Sequence, residues 1–238
     1  MVERVGRRLS MIGTVHVDPA SATTVRDTIV TMKPEVVALE LDEGRLTALE
    51  NPKAQTKRGA GLSFLTMALL ERFAGQLTGS APGTEMLEAA RAAVAVGSRL
   101  EFIDLPITTT GAALKGLPRK EKAKLVVDAL SSIAVLPFSR INWSKVTEDL
   151  DSQIGAFRKR YPELSRILID AREEYMIKRL KMVMDSTTGQ VLAVVGFGHK
   201  ASLARALAAY MPGQGFQTGF SFQISRDATK EEGPGKDS

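Results

Sequence analysis

The chain of 238 residues contains no cysteine, only two histidines and few aromatic residues, which make up 5% of its composition. Without cysteine it can form no disulfide, no thiolate zinc site and no cysteine nucleophile. The low aromatic content argues against a stacking surface for single-stranded nucleic acid. The net charge of +5 is divided among basic clusters that alternate with acids, so we expect no nucleic acid partner.

Long apolar runs are also absent. The segment that comes closest, "GLSFLTMALL" at residues 61–70, is far shorter than the roughly 20 residues that span a bilayer. The beginning, "MVERVGRRLSM", lacks the apolar segment of a secretory signal. We therefore expect a soluble, cytoplasmic protein, which would meet a membrane only if the natural chain continues past residue 238. A homodimer is compatible with this interpretation.

Four short runs rich in β-branched and other apolar residues predict buried strands. Because the runs are apolar on both faces, they favour a mostly parallel sheet covered by helices on both sides. The predicted strands are Leu9–Gly13, Glu35–Leu41, Arg99–Asp104 and Gln190–Gly196.

Longer segments with helical patterning lie between and after these strands. They are Leu62–Leu77, Thr84–Val96, Arg119–Val135 and Pro162–Met184, and Pro19 is suited to open a further helix after the first strand. The predicted fold is therefore α/β, with a helical insertion at about 107–160 between the early and late strands. We expect one domain over residues 1–225, with an edge strand at 215–225, and a solvated tail at 226–238.

The two histidines occupy matching positions. His16 and His199 each stand three residues after a glycine, Gly13 and Gly196, and each follows a predicted buried strand. Ligands of open parallel sheets bind beyond the carboxyl ends of the strands, and glycine permits a sharp turn or a close approach. We therefore predict that both imidazoles lie in one cleft, although a single histidine in such a place is more often structural.

Two carboxylates also end predicted strands. Glu40 could ligate a metal beside the imidazoles or act as a general base. The alternative is a cap or ion pair within the turn "LDEGR", where Arg45 lies close by. Asp104 ends the strand in "EFID", and its alternative role is to start a turn or helix.

Arg172 falls on the inward side of the predicted helix at 162–184, close in angle to Leu168 and Met176. An inward arginine needs an acidic partner or a bound anion, unless its side chain reaches solvent. Glu173 and Glu174 point elsewhere on the helical wheel and could be solvated. The candidate partners of Arg172 are Glu40, Glu85 and Asp104.

The ordered motifs of the chain resemble those of the TraB/PrgY family. The segments that carry the resemblance are "GTVHVDPASATTVRDTIVTMKPEVVALELDEGR", "GTEMLEAARAAVAVGSRLEFIDLPI", "YPELSRILIDAREEYM" and "VVGFGHK". Together they cover roughly residues 9–205. This family is related to the Tiki metalloproteases and shares the broader fold of erythromycin esterase and ChaN-like proteins, so the resemblance implies an α/β fold with a helical insertion.

The resemblance also implies a site that gathers two histidines, a glutamate at a strand end and an arginine. Carried over residue by residue, these positions are His16, Glu40, Arg45, Glu85, Arg172 and His199. The chain departs from the family pattern in two places. Leu105 and Pro106 stand where an arginine and an aspartate are usual, and Ala171, Arg172 and Glu173 replace the usual Glu-Arg-Asp.

These observations lead to the prediction of a metal-dependent hydrolase that acts on a peptide or pheromone-like substrate. His16, Glu40 and His199 would hold a divalent ion, Mn²⁺, Co²⁺ or Zn²⁺, among which these ligands do not select. The predicted catalytic residues are Glu40, Arg45, Glu85, Asp104, Arg172 and Glu173. The rival prediction is a protein without catalytic activity that sequesters a peptide or small ligand in the same cleft.

Overall fold

The computed structural model describes residues 2–14, 19–50, 84–135 and 150–213, and within them a five-stranded sheet organises the fold. The strands are β1 (Val2–Val5), β2 (Leu9–Thr14), β3 (Val36–Leu39), β4 (Arg99–Phe102) and β5 (Val191–Gly196). Their spatial order is β1-β2-β5-β3-β4, and all neighbours run parallel except β1, which is antiparallel to β2. The predicted α/β fold with a mostly parallel sheet is confirmed.

Helices connect and cover these strands. They are α1 (Pro19–Met32), α2 (Glu43–Glu50), α3 (Thr84–Ala95), α4 (Ile107–Lys115), α5 (Arg119–Val135), α6 (Leu150–Arg160), α7 (Pro162–Ser165), a π-helical turn (Arg166–Asp170), α8 (Ala171–Asp185) and α9 (Phe197–Leu207). Within the described ranges, no helix combines the length and the apolar character that crossing a membrane would require.

Alternating residues of each central strand face opposite layers, as a pleated strand requires. Val36 and Ala38 of β3 belong to the apolar cluster that includes residues of α8 and α9. Val37 and Leu39 belong to the cluster formed with α1 and α3. Every residue of β3 and β5 is buried, which explains why their sequences are apolar throughout. Strand β4 lies at the edge of the sheet and is only partly buried, so the prediction of a buried strand there is wrong.

In its described residues, the segment between β4 and β5 is mostly helical, as predicted, and α4 to α7 with the π turn have a small core of their own. Its buried members are Leu117, Phe157, Tyr161, Leu164 and Ile169. The prediction of a single helix at 162–184 corresponds to α7, the π turn and α8, which succeed one another without a break.

Some predictions fall outside the described residues, and one strand was not predicted. The helix at 62–77, the edge strand at 215–225 and the tail at 226–238 lie outside the described ranges and stay predictions, as does the single domain. Strand β1 was not foreseen because its sequence, "VERV", is short and three of its four residues are exposed.

The chain stays hydrogen-bonded beyond the last residues of β3 and β4. The Glu40 amide donates to the Val194 carbonyl at 3.0 Å, and the Ile103 amide donates to the Leu39 carbonyl at 3.0 Å. The Asp104 amide donates to the Leu41 carbonyl at 3.2 Å. These bonds hold Glu40 and Asp104 at the carboxyl edge of the sheet, where ligands of such folds bind.

Candidate active site

Arg172 is the centre of a cluster of charged side chains at this edge, and 13% of its side chain is exposed. Its Nε donates to Oδ1 of Asp104 at 2.9 Å, and its Nη2 donates to Oδ2 of Asp104 at 2.8 Å and to Oε1 of Glu40 at 2.5 Å. Its Nη1 donates to the Leu168 carbonyl at 3.5 Å. The prediction that Arg172 is largely buried and paired with a carboxylate is therefore confirmed.

These contacts occupy all three guanidinium nitrogens of Arg172. Burial disfavours the charged guanidinium, but Asp104 and Glu40 outweigh that cost and raise the pKa of Arg172 above its ordinary value. Arg172 therefore remains a cation that binds two carboxylates from neighbouring strands, β3 and β4, to helix α8. The π turn directly before α8 helps set which side of the helix faces the sheet, because one extra residue in a turn rotates all later residues of the helix by about 100°.

Arg45 is a second cation that pairs with the same aspartate. The segment "LDEGR" starts α2, in which Oδ1 of Asp42 accepts the Arg45 amide at 3.2 Å as a helix cap. Nη1 of Arg45 donates to Oδ2 of Asp104 at 2.6 Å, and 22% of the Arg45 side chain is exposed. Burial lowers the pKa of Arg45, and the pull of Asp104 in the opposite direction does not cancel this. Its Nε and Nη2 make no hydrogen bond to the described residues.

Asp104 also stabilises the turn that follows it, which was the alternative role predicted for this residue. Its Oδ1 accepts the amide of the next residue, Leu105, at 2.8 Å. The side chain is 1% exposed and is shared by Arg45 and Arg172, so its negative charge is balanced from two sides. Asp104 is thus both a turn residue and the acceptor that joins two arginines.

Both carboxylate oxygens of Glu40 are occupied. Oε1 accepts from Arg172, and Oε2 accepts the Gly196 amide at 2.7 Å. Burial alone would raise the pKa of Glu40, but attraction to His199 and Arg172 and the bond from Gly196 outweigh it, so the pKa lies below its ordinary value. Glu40 is consequently an anion in a fixed orientation.

His199 lies in the first turn of α9 and is 1% exposed. Its Nδ1 is 3.0 Å from Oε1 of Glu173, whereas its Nε2 is 3.6 Å from Oε1 of Glu40. That second separation exceeds the length of a hydrogen bond, and Nε2 has no hydrogen-bond partner among the described residues. A buried imidazole nitrogen without a partner is costly unless a ligand or water completes it.

Neither glycine before a histidine has an unusual backbone conformation. Gly196 caps α9 with φ −61° and ψ 143°, angles open to any residue, so a sharp glycine turn is the wrong expectation there. At Gly13, an added Cβ would lie 3.5 Å from Cα of Phe197 and 2.9 Å from Cδ of Lys200. The start of α9 therefore packs on β2 at ordinary contact distance, and the flexible Lys200 side chain is the group that a larger residue would displace.

The interpretation of Glu173 as solvated is wrong. Glu173 is buried, and Oε2 accepts the hydroxyl of Ser202 at 2.7 Å while Oε1 contacts His199. Its pKa is below the ordinary value because the hydrogen bonds from His199 and Ser202 outweigh the effect of burial, which alone would raise it. The sequence contained the signal: Glu173 precedes the buried Met176 and Leu180 by three and seven residues, which places all three on one helical stripe.

For two predicted site residues, membership of this cluster stays a prediction. Glu85 is buried in the first turn of α3, but the carboxylates that pair with Arg172 are Glu40 and Asp104. His16 is outside the described residues, so its convergence with His199 stays a prediction. Among the residues that the structure does describe, no three His, Asp or Glu side chains are grouped closely enough to hold a metal ion.

The lowered pKa values of Glu40 and Glu173 predict a loss of stability in acid. Because both carboxyls bind protons less readily when folded, stability is complete above their unfolded pKa near 4.5 and declines as pH falls through the lower folded values. We expect the urea unfolding free energy of metal-free protein to drop between about pH 5 and pH 3. Glu173→Gln should flatten this decline, and Glu174→Gln, at an exposed position, should not. If the unfolding free energies of the two variants decline equally steeply as pH falls, Glu173 is not a source of the acid sensitivity.

The fold and the charged cluster define a class of protein: an α/β domain with an ionisable site beyond the carboxyl ends of its parallel strands. Comparison with known sequences makes the class specific. The family model described as TraB/PrgY/gumN matches residues 1–209. The chain belongs to the TraB/PrgY/gumN family, as its motifs predict.

Similar proteins occur in archaea and mammals. An uncharacterized protein of Methanocaldococcus jannaschii is 30% identical over 209 residues, which cover 83% of this chain and 52% of that protein. TraB domain-containing proteins of Mus musculus and Homo sapiens are each 24% identical over 234 residues, covering 84% of this chain and 62% of theirs. The chain thus spans between about half and three fifths of the length of these relatives.

Proposed function

We propose that the protein is a metal-dependent hydrolase that cleaves a peptide or related amide bond. The observation that carries the proposal is the unpaired Nε2 of His199, which is buried and faces the anionic carboxylate of Glu40 at 3.6 Å. A neutral imidazole nitrogen beside a carboxylate is a donor set suited to Mn²⁺, Co²⁺ or Zn²⁺.

The residues that would hold the ion are His199 and Glu40, completed by His16 from the segment after β2. Strand β2 is the direct neighbour of β5, and Thr14 of β2 is in register with Gly196 of β5. The chain therefore leaves both strands at the same level of the sheet. A divalent ion there would make a bound water nucleophilic by lowering its pKa. Glu40 would serve as a ligand or as the base that takes a proton from the water.

The two arginines have different roles in this proposal. Arg172 has no free nitrogen, so its task is to hold Glu40 and Asp104 in place. Arg45 uses only Nη1 for Asp104 and is partly exposed, so Nε and Nη2 can donate to a substrate. Arg45 is therefore the residue that would bind a substrate carboxylate or the oxyanion of the transition state.

Metal content tests this proposal directly. We expect protein purified without chelator and without a histidine tag to retain close to one divalent ion per chain, as measured by elemental analysis. His16→Ala and His199→Ala should each lose most of it, and the exposed Glu174→Ala should not. A wild-type protein that neither retains an ion nor binds Mn²⁺, Co²⁺ or Zn²⁺ in titration calorimetry would contradict the proposal.

A second candidate is a binding protein that sequesters an anionic peptide or small ligand without turnover. It is favoured by one observation: Glu40 and Asp104 are already paired with two cations, Arg172 and Arg45, so these carboxylates have counter-ions without a metal. Arg45 would then bind the ligand carboxylate. Affinity for a peptide that persists in excess chelator, with no cleavage under any of the three metals, would select this function over hydrolysis.

A further inference from the structure

Glu173, His199 and Ser202 form a hydrogen-bonded group on the side of the imidazole that is remote from Glu40. The carboxylate of Glu173 lies 3.0 Å from Nδ1 of His199 and 2.7 Å from the hydroxyl of Ser202. We propose that Glu173 is a positioning residue, which holds the proton of His199 on Nδ1 and leaves Nε2 bare. That the bare Nε2 binds a metal ion rests on the proposed function.

The geometry selects one of two tautomers. A neutral imidazole has one N–H and one bare nitrogen, and a carboxylate flanks each nitrogen of His199. The separation of Nδ1 from Glu173 is within hydrogen-bond range, whereas the 3.6 Å between Nε2 and Glu40 is outside it. Oε1 of Glu40 is in addition already bound by Arg172 at 2.5 Å, so it is the weaker acceptor for an imidazole proton. The proton is therefore held at Nδ1.

Glu173 is itself held in place from two sides. Its backbone belongs to α8, in which Met176 and Leu180 are buried beneath the sheet. Its second oxygen accepts the hydroxyl of Ser202, which lies three residues after His199 on α9 and so on the same side of that helix. The carboxylate thus ties α8 to α9 at the level of the imidazole. A carboxylate that binds the outer nitrogen of a histidine in this way orients the ring and increases its basicity as a ligand.

Nitrogen NMR measures the tautomer without any metal. The chain has only two histidines, so a ¹⁵N-labelled, tag-free sample gives two imidazoles, and His16→Ala leaves His199 alone. In chelator-treated protein at about pH 8, where an ordinary imidazole is neutral, we expect His199 to show a protonated Nδ1 and a bare Nε2. Finding the proton on Nε2, or on both nitrogens, overturns the proposal.

Variants separate positioning from a merely structural role. Glu173→Ala should convert His199 to a mixture in which the Nε2–H form is abundant, whereas Glu173→Gln should retain the Nδ1–H form because the amide oxygen can still accept. Ser202→Ala should shift the mixture less than Glu173→Ala. Glu174→Ala, at the exposed neighbouring position, is the matched control and should match wild type. An unchanged tautomer in a folded Glu173→Ala protein overturns the proposal, and Glu173→Gln provides the comparison if the alanine variant does not fold.

Metal titration then connects the tautomer to binding. We expect Glu173→Ala to weaken the affinity for Zn²⁺ by roughly 10- to 100-fold in calorimetry, and Glu173→Gln to recover part of the loss. Equal affinity in wild type and Glu173→Ala, despite a changed tautomer, overturns the link to metal binding. If wild type binds no metal but has the expected tautomer, the hydrolase proposal fails while the positioning of His199 by Glu173 stands.

Discussion

Arg172→Met is expected to lower the free energy of unfolding by about 3–5 kcal/mol, the range found when one partner of a buried ion pair is removed. The change leaves Glu40 and Asp104, which are 8% and 1% exposed at their side chains, without the cation that they share. Methionine fills similar volume, so the loss reports the missing charge rather than a cavity. Urea denaturation of both proteins at neutral pH measures this change in the free energy of unfolding.

Arg179→Met is the matched control for this experiment. Arg179 lies two turns further along α8 and donates to Oε2 of Glu101 at 3.1 Å, but 31% of its side chain is exposed. A pair that is screened by solvent to this degree contributes about 1 kcal/mol or less. Similar losses in both variants would mean that the cluster around Arg172 has no special importance for stability.

A second substitution tests the cause of the loss. Asp104→Asn in the Arg172→Met background removes the charge of one of the two carboxylates that lose Arg172, the one that keeps Arg45 as a partner at 2.6 Å. The double variant should therefore be more stable than the sum of the two single losses predicts. If the stability losses of the two single variants add strictly, repulsion between the carboxylates that lose Arg172, and their desolvation, do not cause the loss in Arg172→Met.

Glu40→Gln is expected to reduce turnover by roughly 100-fold or more, because it removes the negative charge from a side chain that would act as base or ligand. Size and most hydrogen bonding are retained, and the fold should survive. The assay uses a mixture of internally quenched peptides with Mn²⁺, Co²⁺ or Zn²⁺. Glu101→Gln, a partly exposed glutamate in β4, is the matched control and should retain full turnover.

Metal affinity of the same variant separates the two roles of Glu40. If Glu40 is the base, the ion should still bind while turnover is lost. If Glu40 is a ligand, affinity and turnover should fall together. Full activity in Glu40→Gln would mean that this carboxylate only holds Arg172 and Gly196, and that the site is misassigned.

The strands, the insertion and several site residues could be predicted because each depends on a local pattern. All four runs form strands, and the structure ends each within about two residues of its predicted bounds. Strand β4 is the exception to their predicted burial, because it lies at the edge of the sheet and is only partly covered. Glu40 and Asp104 follow from the same reasoning, since a polar residue directly after a buried parallel strand lies at the binding edge. The inward placement of Arg172 follows from helical phase.

The contacts between these residues depend on distances across the fold that no local pattern contains. The sequence alone determined the α/β class, the family and the positions of Glu40, Asp104, Arg172 and His199 at strand ends or on an inward helical face. Only the tertiary structure decided which carboxylates share Arg172, that Glu173 turns inward to His199, and that Arg45 rather than Arg172 has free donors. The reason is physical: patterning reports the face of an element that is buried, whereas ion pairing depends on the register between elements that are 26 to 132 residues apart.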